Sequence, residues 1–151
     1  MSPQVALYRP LIPGNTGAVG RLCVATATPL CLVTPLGFSL DEARVRRAGL
    51  DYWPRLNLQV GPDLPVPAPG GRLVAFVANA PLSLWEVGFG PDDVLLFGPE
   101  DKGLPEAVAA GADLAVRITM VKGERSLNLA MAVAISLYEA LRQGCGEALA
   151  G

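Results

Sequence analysis

The sequence contains no histidine among its 151 residues. This absence excludes Ser-His-Asp and Cys-His nucleophilic catalysis, zincin-type metal sites and any histidine general base. The three cysteines, Cys23, Cys31 and Cys145, are too few and too scattered for a disulfide framework, and they lack the Cys-x-x-Cys spacing of a zinc site. Any chemistry must therefore use arginine, lysine, carboxylates, hydroxyls or a cofactor, and we expect no metal.

Charged residues are also sparse, at 17% of the chain, and 12 Lys and Arg against 14 Asp and Glu give a net charge of −2. The chain as a whole therefore lacks the excess positive charge that attracts nucleic acid. This composition does not exclude a local cluster of basic residues. No stretch of about 18 residues is free of charge and of Pro and Gly clusters, so we expect no membrane span. The N-terminus reads MSPQVALYRP and lacks the features of a secretory signal, which favours a cytoplasmic protein.

The hydrophobic content of 51% excludes intrinsic disorder, and the length fits a single domain over 1–151. Short apolar runs alternate with helical patterns, which predicts an α/β fold with a mainly parallel sheet flanked by helices. We expect strands at 4–8, 30–33, 56–60, 72–78, 94–97 and 114–118, and helices at 15–26, 39–48, 105–110 and 127–142. The stretch 61–71 holds four prolines and cannot form a regular helix.

Three polar, glycine-bearing loops follow predicted strands, where parallel α/β folds bind ligands. Residues 12–21 have the spacing GxxGxxG, not the GxGxxG of dinucleotide-binding loops. Gly98 and Gly103 have P-loop spacing, but Leu104 and Pro105 stand where Lys and Ser or Thr are required. In the third loop, residues 118–129, Ser126 is a candidate N-cap, and Asn128 at an apolar helix start is expected to be a buried amide that needs partners.

Three segments in these loops carry a family resemblance: NTGAVGRLC, LLFGPEDKGLP and RITMVKGERSLNLAMAVAISLYEA. They resemble the three signature motifs of the SpoU/TrmH-like ribose 2′-O-methyltransferases of the SPOUT superfamily. The segment RRAGLDYW further resembles the small TrmL-type members, which methylate the wobble nucleotide of tRNA. The resemblance runs in order from about Val5 to Arg142.

The resemblance implies a C-terminal deep trefoil knot, an exception to the rule that chains do not thread through loops. It also implies S-adenosylmethionine bound in the knotted loops, S-adenosylhomocysteine as product, tRNA as substrate and a homodimer. The implied activity is 2′-O-methylation of a tRNA ribose at the wobble cytidine or uridine. Methylation at another tRNA or rRNA position, or a non-catalytic RNA-binding relative, remains open at this point.

The resemblance also assigns site residues. Arg21 would stabilise the developing ribose alkoxide or grip a phosphate, since a guanidinium seldom loses its proton. Glu100 would orient Arg21 or Asn128. The implied catalytic residues are Arg21, Glu100, Ser126 and Asn128, and the implied cofactor-binding residues are Phe76, Gly98, Gly103, Ile118, Met120, Ser126 and Leu127. The charge pattern of the chain adds an RNA-binding patch, because three arginines lie within four residues of a net-acidic sequence. The residues expected to bind RNA are Asn15, Arg21, Arg44, Arg46, Arg47 and Arg125.

The chain departs from the family pattern at Thr119, which stands in Ile118-Thr119-Met120 where Ile-Pro-Met is usual. Threonine restores a backbone donor that proline lacks, so we expect a looser turn. The predicted helix 127–142 is apolar nearly all round, and such a helix must be covered. We therefore expect it to be buried against a second copy of the chain.

Overall fold

The computed structural model describes residues 2–41, 52–145 and 149. Within this part of the chain, seven parallel strands form one sheet in the order β3-β2-β1-β6-β4-β7-β5. The strands are β1 Gln4–Tyr8, β2 Leu30–Val33, β3 Leu58–Gly61, β4 Leu73–Phe76, β5 Leu82–Ser83, β6 Val94–Phe97 and β7 Leu114–Arg117. The predicted mainly parallel sheet is confirmed.

The central strands are the most apolar ones, because they are covered on both faces. Every residue of β2 and β6 is buried. Val5 and Leu7 of β1 join the larger core cluster on one face, whereas Ala6 joins a smaller cluster on the other face. Strand β3 lies at an edge, and its residues Gln59 and Val60 are exposed.

Two long helices, α1 Pro13–Ala25 and α3 Leu129–Ala140, pack against each other and against the larger cluster. Helix α1 begins with Pro13 in its first turn, where the missing N–H costs nothing. Helix α3 leads into a π-helical turn, Leu141–Cys145, in which Gly144 has a φ of 109° that favours glycine. A short helix, α2 Glu106–Ala110, lies between β6 and β7.

The structure corrects several sequence-based boundaries. The strand predicted at 72–78 is only Leu73–Phe76, and the two-residue strand β5 was missed. The last helix begins at Leu129 rather than 127, because Asn128 is its N-cap and Ser126 is not. Asn128 is exposed, so the prediction of a buried amide is wrong. The helix predicted at 39–48 falls mostly on residues 42–51, outside the described part.

The parallel sheet brings the loops that follow β1, β4, β6 and β7 to one edge. These loops, the end of β4 and helix α1 carry the described residues that the family resemblance assigns to the site. No helix in the described ranges is long and apolar enough to cross a membrane.

At the opposite edge, a partly buried ion pair between Arg72 and Asp93 joins the starts of β4 and β6. The Asp93 carboxylate, 1% exposed, accepts hydrogen bonds from Arg72 Nη2 (2.7 Å), Arg72 Nε (3.2 Å) and the backbone N–H groups of Arg72 (3.0 Å) and Gly90 (2.9 Å). Burial raises the pKa of Asp93, but the hydrogen bonds from Arg72 and Gly90 outweigh it, and the pKa lies below its usual value.

We expect Asp93→Asn to lower the free energy of unfolding by about 2–4 kcal/mol at pH 7, since it leaves a partly buried Arg72 without its carboxylate. A folded-state pKa below the unfolded value of about 3.9 stabilises the fold above that pH, and the stabilisation is lost as the pH falls through the lower folded value. Urea unfolding across pH should therefore show a full difference at pH 7 that shrinks below about pH 4. Asp92→Asn is the matched control, and an equal loss there would contradict the assignment.

Candidate active site

Glu100, in the loop after β6, holds the beginning of helix α1. Its Oε1 accepts the backbone N–H of Leu11 at 2.8 Å, and its Oε2 accepts the backbone N–H of Ile12 at 2.8 Å. Ile12 is the N-cap of α1 and has no side chain that could cap the helix. Glu100 thus supplies the negative charge that a helix N-terminus favours, from a segment far away in the sequence.

Asn15 connects this carboxylate to the third loop. Its Nδ2 donates to Glu100 Oε2 at 3.3 Å, and its Oδ1 accepts from Asn128 Nδ2 at 3.1 Å. Asn128 Oδ1 in turn accepts the backbone N–H groups of Ala130 (2.9 Å) and Met131 (3.3 Å), which caps helix α3. One chain of hydrogen bonds therefore joins β6, α1 and α3.

These contacts change the expected role of Glu100. The carboxylate does not bond Arg21, and it reaches Asn128 only through Asn15. Both the nitrogen and the oxygen of the Asn15 amide form hydrogen bonds within the protein. The sequence did not reveal this bridging role. Hydrogen-bond partners 85 and 113 residues apart cannot be read from spacing.

Arg21 lies on the exposed side of α1, six residues after Asn15. It borders an open apolar groove between the two long helices. This groove is lined by Ala18, Arg21, Leu22 and Ala25 of α1 and by Ala130, Met131 and Ala134 of α3. Among the described residues, Arg21 has no side-chain hydrogen bond or ion pair, so its guanidinium donors remain available to a ligand.

The glycines of the second loop allow the chain to fold back on itself. A Cβ on Gly98 would collide with the backbone of Gly103 and Leu104, so only glycine fits there. Gly103 has a φ of 70° and donates its N–H to Pro99 O at 3.0 Å. A Cβ on Gly103 would meet nothing within 4 Å, so its backbone faces open space where a ligand can approach closely.

Apolar side chains follow the same edge. The Phe76 ring stacks on the Phe97 ring, with centroids 4.6 Å apart and planes at 7°. Ile118 and Met120 are half-buried, while Arg125, Ser126, Leu127 and Asn128 lie in the exposed part of the third loop. The structure thus brings the assigned cofactor residues to neighbouring loops, whereas Arg44, Arg46 and Arg47 lie outside the described residues.

The sequence analysis missed Ser83 and its contacts beside the third loop. Ser83 Oγ lies 2.9 Å from Thr119 Oγ1, and Ser83 begins a 3₁₀ turn, Leu84–Glu86, through a capping box with Glu86. The Ser-x-x-Glu spacing is the sequence signal that could have identified this box.

Comparisons with known proteins match nearly the whole chain. The SpoU rRNA Methylase family matches residues 2–138. The chain belongs to this family of methylases. The resemblance that the three motifs carry is therefore confirmed.

Individual relatives agree with this assignment. The tRNA (cytidine(34)-2′-O)-methyltransferase of Methylovorus glucosotrophus (strain SIP3-4) is 42% identical over 145 residues, which cover 93% of this chain and 94% of that protein. Its counterpart from Acidovorax sp. (strain JS42) is 40% identical over 153 residues, covering 93% and 91%.

Solved structures give the same result. A structure described as "Structural insights into the 2-OH methylation of C/U34 on tRNA" superposes with a TM-score of 0.87 at 44% identity, covering 94% of this chain and 95% of that one. The SpoU methyltransferase AviRb of Streptomyces viridochromogenes, in complex with AdoMet, has a TM-score of 0.78 at 27% identity, covering 99% of this chain and 59% of that one.

We expect Glu100→Gln to lower the free energy of unfolding by about 1–3 kcal/mol. The amide keeps one acceptor oxygen and turns an NH₂ group toward a backbone N–H, so one donor at the start of α1 loses its partner. Urea denaturation followed by circular dichroism measures the change. Asp101→Asn changes the adjacent exposed carboxylate and should leave stability nearly unchanged; equal effects from the two variants would argue against the network.

Proposed function

We propose that this chain methylates the ribose 2′-hydroxyl of tRNA nucleotide 34, a cytidine or uridine, with S-adenosylmethionine as methyl donor. The observation that carries the proposal is the match to tRNA (cytidine(34)-2′-O)-methyltransferases over more than nine-tenths of both chains. The substrate and position come from those relatives. The histidine-free site of this chain is compatible with them, because methyl transfer from a sulfonium needs no imidazole or metal.

The residues at the strand ends fit such a cofactor. The exposed backbone of Gly103 permits close approach, and half-buried Phe76, Ile118 and Met120 offer apolar surface to an adenine ring. We assign these residues, with Gly98, Ser126 and Leu127, to cofactor binding. The cofactor, when bound, supplies the electrophilic methyl group. The loops of this chain would hold the adenosine, limit access of water and orient the ribose hydroxyl.

Asn128 and Arg21 have different parts in this proposal. The network through Asn15 and Glu100 fixes Asn128 at the start of α3, next to Ser126 and the proposed cofactor loop. The guanidinium of Arg21, which has no side-chain partner among residues 2–41, 52–145 and 149, can stabilise a developing alkoxide or hold a neighbouring phosphate. Arg125 is exposed in the third loop and would add an RNA contact, as would Arg44, Arg46 and Arg47.

A second copy of the chain is the proposed occupant of the groove between α1 and α3. The exposed residues Met131 (62%), Ile135 (43%) and Tyr138 (52%) recur at helical spacing along α3 and continue the groove. Small residues at Ala18, Ala130 and Ala134 permit close approach of helices. Because Arg21 borders the groove, pairing of two copies would also enclose the guanidinium.

The strand order supports the proposed trefoil knot. Strand β7 lies between β4 and β5, which precede it in the chain and are joined to each other by a short connection. This insertion of β7 between two earlier strands is compatible with a chain that passes through a loop. Because tRNA is the proposed substrate, we also propose that the protein is located in the cytoplasm.

Incubation of the protein with S-adenosylmethionine and unmodified tRNA transcripts tests the activity directly. Nucleoside mass spectrometry after site-specific digestion should find one ribose methyl group at position 34 in transcripts with cytidine or uridine there. Methylation elsewhere, or only of ribosomal RNA fragments, would replace the proposed substrate. Binding of S-adenosylhomocysteine without methyl transfer to any RNA would indicate a non-catalytic relative.

Arg21→Ala should slow single-turnover methylation about 100-fold to 1000-fold at saturating tRNA and cofactor, if Arg21 acts in the transition state. Affinity for S-adenosylhomocysteine should persist, because the proposed cofactor residues lie on other loops. If Arg21 only holds a phosphate, saturating tRNA should restore the rate, and Arg21→Lys should function in part as a point charge. Near-wild-type single-turnover rates for Arg21→Ala would exclude a catalytic role.

Met131→Asp should convert the protein from a dimer to a monomer in sedimentation velocity at micromolar concentration, because the variant places a charge in an apolar interface. Val66→Asp is the matched control: Val66 is 88% exposed in the proline-rich loop and does not line the groove. A wild-type protein that sediments as a monomer would contradict the proposed pairing.

A further inference from the structure

Within the described part of the chain, the third loop has one hydrogen-bonded connection to its surroundings before Asn128. Among the described residues, no hydrogen bond from residues 118–127 to another element is present except the contact between Thr119 Oγ1 and Ser83 Oγ, at 2.9 Å. The other hydrogen bond within this segment is local, from Glu124 N–H to Val121 O at 3.3 Å. The side chain of Thr119 thus provides the hydrogen bond that restrains the described loop where it leaves the sheet, beside the packing of Ile118 against the larger core cluster.

Ser83 is a rigid partner for this contact. It is buried, and its Oγ already accepts the backbone N–H of Trp85 at 3.1 Å. Its own backbone N–H donates to Glu86 Oε1 at 2.9 Å, which completes the capping box of the 3₁₀ turn. A hydroxyl that is fixed in this way can hold a flexible neighbour with little further loss of entropy.

The expectation of a looser turn at Thr119 considered only the backbone and left out the restraint from the threonine side chain. Proline would restrict this position through its fixed φ, and threonine restricts it through a side-chain hydrogen bond instead. The backbone N–H of Thr119 donates no hydrogen bond within the described residues, so both solutions are compatible with the loop. The neighbours Ile118 and Met120 are the half-buried residues that we assign to the adenine.

We propose that Thr119 is a positioning residue for the cofactor, which acts through its hydrogen bond with Ser83 to hold Ile118 and Met120 in their binding arrangement. The inference rests on the proposed function of this site. In this chain, a hydrogen bond between two hydroxyl groups would restrain the loop at the position where the family usually has proline.

Thr119→Val replaces the hydroxyl with a methyl group of similar size. We expect it to raise the Kd for S-adenosylhomocysteine and the KM for S-adenosylmethionine by roughly threefold to tenfold, the factor that corresponds to one neutral hydrogen bond. The kcat at saturating cofactor and the KM for tRNA should stay within about twofold of wild type. Isothermal titration calorimetry and initial rates provide these four quantities.

Two rescue variants separate positioning from general stability. Thr119→Ser keeps a hydroxyl and should retain most of the affinity. In a Ser83→Ala background, Thr119→Pro should bind S-adenosylhomocysteine more tightly than Thr119, since proline restricts the backbone without needing Ser83. Thr119→Val in the same background should have no further effect, because its partner is already absent.

Thr28→Val is the matched control. Thr28 Oγ1 lies 2.8 Å from Thr26 Oγ1 in a second, buried pair of hydroxyls, before β2 at the opposite edge of the sheet. The Thr28→Val substitution should lower the melting temperature of the unliganded protein and leave the Kd for S-adenosylhomocysteine unchanged.

The outcomes are distinguishable. A wild-type protein that neither binds S-adenosylhomocysteine nor methylates RNA overturns the proposed function and this inference with it. A wild-type protein that binds, together with a Thr119→Val variant of equal affinity, overturns the positioning role alone. A loss of affinity in Thr28→Val equal to that in Thr119→Val would also overturn it, since the effect would then reflect stability.

Discussion

The arrangement of the site depends on the carboxylate of Glu100. It accepts hydrogen bonds from the backbone N–H groups of Leu11 and Ile12 and from the side-chain amide of Asn15. A single residue in the loop after β6 therefore fixes the start of α1. Through Asn15 the same carboxylate reaches Asn128 and the start of α3. With three donors, the hydrogen-bonding capacity of the Glu100 carboxylate is well used. Removal of Glu100 or Asn15 leaves polar groups at the start of a long helix without their partners.

The fold determines which loops this network can join. Because β1, β6 and β4 are adjacent and parallel, the segments after them meet at one edge. Insertion of β7 between β4 and β5 brings the third loop beside Ser83. The network and the hydroxyl pair thus hold two ends of the same loop: Asn128 where it enters α3, and Thr119 where it leaves the sheet.

The sequence predicts the framework well and the contacts poorly. The runs 4–8, 30–33 and 94–97 match the observed strands exactly, since buried parallel strands are continuous and apolar. Strand β5, with two residues, carries no periodic signal. The motif residues Glu100 and Asn128 do meet at one site, but Asn15 was not predicted as the link, because partners distant in sequence depend on strand order. Asn128 was interpreted as buried, although an asparagine before an apolar helix is also a typical exposed N-cap.

The absence of histidine limits how this site can handle a ribose proton. A guanidinium donates hydrogen bonds and has no acceptor, so an arginine at the site can stabilise an alkoxide but is not suited to accept its proton. Arg21 borders a groove whose lining includes Ala18, Ala25, Ala130 and Ala134, and the proposed second copy of the chain would cover it. Exclusion of water there would strengthen the interaction of the guanidinium with an anionic oxygen, because charge–charge attraction increases as the local dielectric falls. In the proposed dimer, covering of the groove and stabilisation of the alkoxide would thus depend on the same surface.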